Sequence, residues 1–359
     1  MRLPWDNAMP LDPSPILARY PHLIGLPLTP IRGGLINDTF ALGPDHILQR
    51  LHPIFAPAVN LDILTLTAAL RLRGVPVPTL LTADTGDAWV TLDADRGYSS
   101  DIAGTWRIMT RLPGRAIARV ERPAQARAAA ALLARFHGAL IGVEHDFAFT
   151  RPGAHDTDAH MRALELALDA HPGHRLKPAV EPLAGALIGR WADLRPACVD
   201  LDLPARVVHG DPKISNLLFD DEERAVGVID LDTMAWASVD IDVGDALRSW
   251  CNTSTEDDPT ARFSAAIFAE AMAGYLDAAP WLTEAERRAF IPTTERICLE
   301  LAARFAADAL HERYFGWDPA AAPTRGDHNL LRAAGQLQLA DDLARQRDAL
   351  QAALDALQA

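Results

Sequence analysis

From Ala205 to Asp232 the chain reads ARVVHGDPKISNLLFDDEERAVGVIDLD. An apolar strand delivers His209-Gly210-Asp211, Asn216 follows, the strand NLLF turns at the acidic DDEE, and VGVID ends on Asp230. A hairpin of this length brings Asp230 back beside Asn216, where a carboxylate and an amide oxygen can share one hard cation, the ligand chemistry that magnesium takes. Asp211 precedes Asn216 by too much chain to collapse onto the same ion and is free to accept a proton from an attacking hydroxyl. Lys213 can reach a transferring phosphoryl group as a point charge. With Lys177 it is one of two lysines in a chain that otherwise uses arginine, and a compact ammonium and a planar guanidinium are not interchangeable at a crowded phosphate. His209 reads as a brace for the loop, Asp232 as either a second metal ligand or a capping residue, and one of Asp240, Asp242 and Asp245 as a further brace.

These residues need two kinds of support. Residues 22 to 50 read as short extended pieces around a turn at Gly33-Gly34. Residues 57 to 73 place Val59, Ile63, Leu66 and Leu70 at helical spacing and stop before Gly74. VPVPTLL reads as an extended edge, with strands at 88 to 92 and 105 to 111. Beyond Leu112-Pro113-Gly114 the pattern turns helical, over 122 to 140, 158 to 170, 179 to 195, 262 to 278, 283 to 314 and 328 to 358. The stretch 205 to 231 is the one β-like island among them.

Composition narrows the partners. Against 34 basic residues stand 48 acidic ones, a net charge of −14, and a chain without basic runs is poorly suited to a phosphate backbone; no nucleic-acid partner is expected. At roughly 150 residues per domain, 359 residues suggest two lobes. Cys198, Cys251 and Cys298 form no Cys-x-x-Cys pair and read as reduced core residues. MRLPWDNAMPLDPSP carries acids and prolines where a signal peptide carries an apolar stretch, and no apolar run is long enough to span a bilayer, so a cytoplasmic protein with no membrane partner is expected.

His209-x-Asp211-x-Lys213-x-x-Asn216 followed by Ile229-Asp230 resembles the catalytic loop and metal-binding Asp of the aminoglycoside phosphotransferase and choline kinase superfamily. GGLINDTF, ILQRLHPIF, IDLDT, DVGDALRSWCNTSTEDD, ELAARFAADAL and RGDHNLLRAAGQLQLADDL are similar, in order, to the bacterial N-acetylhexosamine 1-kinase-like branch. The resemblance implies an α+β, protein-kinase-like two-lobe fold. It places a nucleotide-binding lobe at 1–105, a hinge at 106–114, and a helical lobe at 115–359 that contains the catalytic loop 209–216 and the metal segment 229–232. It implies an ATP-dependent kinase that uses Mg²⁺ and phosphorylates a small-molecule acceptor, an amino sugar at its anomeric hydroxyl. Asp211 is then the base or hydroxyl-orienting residue, Asn216 and Asp230 hold Mg²⁺, and Gly33 and Gly34 turn over the nucleotide. Arg50 is the basic residue of the third strand, with Asp62 in place of its usual Glu partner, and backbone around Met109 to Arg111 meets the adenine edge.

Other positions stay open. Arg248 and Arg304 match either substrate-binding or structural arginines, and Asn37 and Asp38 either touch the sugar or shape the turn. His155, His160, His171 and His174 read as solvated loop residues. Leu339, Leu343, Leu350, Leu354 and Leu357 read as a stripe that docks onto the helical lobe, and the chain as a monomer or homodimer. Choline, aminoglycoside or homoserine are rival acceptors, and a nucleotide-binding pseudokinase and a metal-dependent phosphohydrolase are rival classes. The lysine exception makes a prediction: Lys213→Arg lowers turnover substantially in an ADP-release assay while leaving the thermal melting curve unchanged.

Overall fold

The computed structural model describes residues 11–31, 37–199 and 201–357, and the chain divides into two compact units. One comprises the chain up to Pro113 together with 142–150 and 227–232; the other comprises 114–141, 151–226 and the chain from Thr233 onward.

In the first unit β1 (Leu28–Pro30), β2 (Asp38–Leu42), β3 (His46–Leu51), β4 (Val90–Leu92) and β5 (Gly104–Thr110) form an antiparallel sheet in the order β1-β2-β3-β5-β4. Alternation along the strands sends Leu48, Trp106 and Ile108 to one face, where they pack with Ile16 and Leu17 of the short helix α1 (Ser14–Leu17) and with Tyr20. Gln49 and Arg107, paired directly across β3 and β5, take the opposite face. Helix α2 (Val59–Leu72) buries Ile63, Leu66 and Leu70, as their spacing predicts, and the chain leaves it through Gly74 at φ +77°. VPVPTLL forms no continuous strand; only Leu80 bridges to Met109.

The second unit carries the helices α3 (Pro123–Ala139), α4 (Thr157–Ala170), α5 (Lys177–Leu194), α6 (Val239–Trp250), α7 (Ala265–Ala278), α8 (Glu284–His311) and α9 (Arg325–Ala356). Side-chain caps start several of them: Asp156 accepts from the Ala159 amide, Thr283 and Glu286 cap each other reciprocally, and Thr324 accepts from Asp327. Strands β6 (Arg115–Ala116), β8 (Leu217–Phe219) and β9 (Ala225–Val228) make one small sheet, β9 running on into the first unit, while β7 (Arg206–Val208) pairs with β10 (Ala235–Ala237). Helix α6, which the sequence reading passed over, is buried along almost its whole length. α8 packs against both α6 and α9, and Leu339, Leu343, Leu350 and Leu354 of α9 are buried while Leu357 stays exposed.

All three cysteines are free and buried, and burial pushes the Cys198 thiol up to about 12 and raises those of Cys251 and Cys298 further. No helix among the described residues is long and apolar enough to cross a membrane.

Helices α3 and α7 meet closely because residue 274 is glycine: a Cβ there would collide with the Arg127 carbonyl oxygen and lie 2.9 Å from its carbon. Gly274→Ala is expected to lower stability by about 2 kcal/mol, the cost of forcing a methyl into a closed contact, as read by urea unfolding.

Candidate active site

The loop 209–216 is built in the second unit from a strand end and a buried anion. β7 ends at Val208, and the next two amides, of His209 and Gly210, donate to the two oxygens of the Asp242 carboxylate at 2.6 and 2.7 Å. Gly210 adopts φ +83°, and a Cβ there would fall on the Thr233 carbonyl oxygen, so only glycine lets the chain turn at this point. Thr233 Oγ1 donates to the His209 carbonyl at 2.9 Å, and Trp250 Nε1 donates to the Pro212 carbonyl at 3.0 Å. The loop is thus stitched to α6 at His209, Gly210 and Pro212, and to Thr233 at His209.

Within this frame three polar side chains come together. Lys213 Nζ donates to Asp211 Oδ2, and both side chains remain about a third exposed, at 35% and 29%. Asn216 Nδ2 donates to the Asp211 main-chain carbonyl at 2.8 Å and approaches its Oδ2 at 3.4 Å. That use of the amide nitrogen turns Asn216 Oδ1 the other way, with no hydrogen-bond donor among the described residues. An oxygen without a protein donor, beside a carboxylate held by an ammonium, suits a hard cation and an acceptor hydroxyl.

Asp242 is fully buried and lies on the first turn of α6, where the helix dipole favours an anion. Burial opposes its charge, but His137 Nε2 at 2.9 Å and the two loop amides outweigh burial and hold the carboxyl below its ordinary range. His137 Nδ1 in turn faces the Tyr275 hydroxyl at 2.7 Å, and burial together with Asp242 raises that phenol well above its usual value. His137 therefore bridges the two, Nε2 facing the carboxylate and Nδ1 facing the phenol.

In the first unit Asp230 is exposed and adopts φ +64°, a left-handed conformation that non-glycine residues rarely take. Asp38 is held by Arg50, whose Nε lies 2.7 Å from Asp38 Oδ2 and whose guanidinium sits over Trp106 and reaches the Asp101 carbonyl at 3.1 Å. Met109 is half-buried, and the Arg111 amide donates to the Asp45 carbonyl at 2.7 Å. Gly33 and Gly34 lie outside the described residues.

A model of the phosphotransferase enzyme family matches residues 27–281. The chain belongs to that family. The phosphotransferase reading makes it a kinase-type enzyme acting on the hydroxyl of a small molecule. Solved structures share its kinase-like fold at low identity. The microcompartment-associated aminopropanol kinase is 18% identical with a TM-score of 0.65, covering 94% of this chain and 98% of that one. An aminoglycoside phosphotransferase from Alicyclobacillus acidocaldarius is 16% identical with a TM-score of 0.60, covering 98% and 100%. An amicoumacin kinase solved with AMP-PNP and Ca²⁺ is 16% identical with a TM-score of 0.58, covering 89% and 93%.

Several expectations about this phosphotransferase change. Asp62 does not pair with Arg50: its carboxylate accepts from His145 Nε2 at 2.8 Å and from the amides of Ala148 and Phe149, and so anchors the 145–149 segment. The histidines are not loosely solvated. His155 meets Glu300 at 3.0 Å, whose carboxylate offsets burial and raises the imidazole, His160 reaches the Ala154 carbonyl, His171 meets His311 at 2.9 Å, and His174 lies 3.5 Å from Glu312. Arg248 is enclosed by Asp245 at 2.8 Å and Glu256 at 3.3 Å, which outweigh burial and keep it charged, whereas Arg304 is half-buried over the Phe315 ring. Asn37 braces its turn by accepting from the His52 amide at 2.8 Å. Asp232 is fully buried against Arg107, a residue that sequence reasoning missed because alternation in TWRIMT assigns it to a solvent face. The available signal was Gln49, a polar residue flanked by leucine and arginine in the strand HILQRL.

The depressed Asp242 carboxyl gives a pH prediction. Its unfolded value is about 3.9, so its contribution to stability is present above that pH and is lost as pH falls through the lower folded value. Asp242→Asn should flatten the acid limb of the stability curve and cost about 3 kcal/mol at neutral pH, as measured by urea unfolding at a series of pH values.

Proposed function

We propose that this phosphotransferase moves the γ-phosphoryl group of ATP to the anomeric hydroxyl of an amino sugar such as an N-acetylhexosamine. The observation that carries the reading is the grouping of Asp211, Lys213 and Asn216 in one loop whose backbone is tied to buried partners. In this role Asp211 orients the acceptor hydroxyl and takes its proton as the oxygen bonds to the γ-phosphorus and the bond to the β-phosphate oxygen breaks. Lys213, already against Asp211, places an ammonium beside the oxygens of the transferred group.

Asn216 and Asp230 are assigned to Mg²⁺. Hard oxygen donors suit that ion, which is commonly held by one or two protein groups together with substrate phosphates. When bound, Mg²⁺ neutralises charge on the phosphates. Gly33, Gly34, Arg50, Met109 and Arg111 are assigned to the nucleotide, with Asp38 as the fixed partner of Arg50 rather than a free contact to the sugar. Arg304, which makes no ion pair among the described residues, is assigned to the acceptor, and Arg248, closed by two carboxylates, to the structure. The nucleotide lobe at 1–105, the hinge at 106–114 and the helical lobe at 115–359 belong to the same reading, as does a cytoplasmic setting.

The acceptor rests on the motifs similar to the N-acetylhexosamine 1-kinase-like branch. A second reading, an amino alcohol acceptor, is favoured by the likeness to the aminopropanol kinase. Phosphorus NMR of the product from an acceptor panel separates them, because an anomeric phosphate is distinct from a primary phosphate ester. Turnover of amino alcohols with none of any hexosamine would replace the first reading by the second. Asp211→Ala is expected to remove turnover while Mg-ATP binding by calorimetry stays within about threefold, since little binding energy runs through the acceptor base.

A further inference from the structure

Asp232 stands two residues beyond Asp230, and its side chain is spent inside the first unit. Arg107 grips it at two points, Nη1 to Oδ1 at 2.6 Å and Nη2 to Oδ2 at 2.9 Å, with side-chain exposures of 2% and 1%. The guanidinium's other N–H groups go to Gln49 Oε1 and Asn60 Oδ1, so that all five donors are used. Asn37 adds a bond from Nδ2 to Asp232 Oδ2 at 2.7 Å. One buried pair therefore joins β3, α2, β5 and the residue before β2 to the segment 229–232.

Asp230 pays for its exposed place with an unfavourable backbone. A non-glycine residue at φ +64° is strained and persists only where its surroundings over-determine it. We infer that the Arg107–Asp232–Asn37 cluster is that constraint, which makes Arg107 a positioning residue for the metal segment and Asp232 its anchor instead of a second metal ligand. Both Asp232 oxygens are occupied, Oδ1 by Arg107 and Oδ2 by Arg107 and Asn37, and a divalent ion would have to displace a fully bonded guanidinium to reach them. The inference rests on the proposed metal role of Asp230.

The test is Mn²⁺ binding to the full chain in the presence of ADP, followed by electron paramagnetic resonance, with melting curves recorded for every variant. Arg107→Lys and Asp232→Asn should each weaken Mn²⁺ binding about tenfold, the range seen for residues that orient metal ligands. The double variant should lose no more than about tenfold, because both changes break one contact. A loss under about twofold in Arg107→Lys overturns the inference, as does a loss of about a hundredfold in Asp232→Asn alone, which would make Asp232 a ligand. If the buried variants do not fold, Asn37→Ser, which removes only the outer bond, decides: weaker binding at an unchanged melting temperature supports the strut, and unchanged binding overturns it. Unaltered Mn²⁺ binding in Asp230→Ala would instead remove the metal role beneath the inference.

Discussion

Asp242 carries its charge into a position that solvent does not reach, and the loop bearing Asp211 is shaped by the ways that charge is compensated. Two of its donors are consecutive backbone amides, which forces the chain at His209-Gly210 to curl around the carboxylate. The third partner is His137, which is backed in turn by Tyr275. Removing an anion from water is costly unless its lone pairs find donors, so the loop cannot relax away without stranding it. Gly210 is tolerated in a left-handed conformation, and Thr233 can approach its backbone, as consequences of that curl.

The same economy recurs in the first unit with the signs reversed. There the buried ion is a guanidinium, and its five donors are met by a carboxylate, two amide oxygens and nothing else. In each case a fully bonded internal ion lies near a residue that must itself stay exposed: Asp242 holds the turn leading to Asp211, and Arg107 holds the segment of Asp230. Exposed groups on flexible backbone lose orientation. Anchoring a neighbouring residue in the interior fixes the backbone that carries the working side chain.

Much of the site was legible because its residue types follow from chemistry that few alternatives satisfy. The spacing that groups Asp211, Lys213 and Asn216 in one loop needs no tertiary information, and α2 announced itself through Val59, Ile63, Leu66 and Leu70. The brace among Asp240, Asp242 and Asp245 was foreseen as one of three, since sequence cannot tell which acid faces the loop. Helix α6 was passed over although Val239, Val243, Leu247 and Trp250 recur at helical spacing, because its three acids read as polar interruptions; those acids are inside, each with its own partner, Thr293 for Asp240, His137 for Asp242 and Arg248 for Asp245. Arg107 was missed for the same reason, as periodicity registers polarity and cannot see a distant partner. The Asp62 assignment failed because a carboxylate in the first turn of α2 is equally able to collect the amides of a loop that returns over eighty residues later.

The three cysteines, idle in catalysis, have a practical bearing. A thiol reacts through its thiolate, and with every native sulfur buried and its ionisation pushed upward, the native chain offers almost none near neutrality. A single cysteine introduced on the surface would then be the sole nucleophilic sulfur without any native one being replaced. Spin labels or fluorophores could be attached one position at a time to the otherwise unaltered protein.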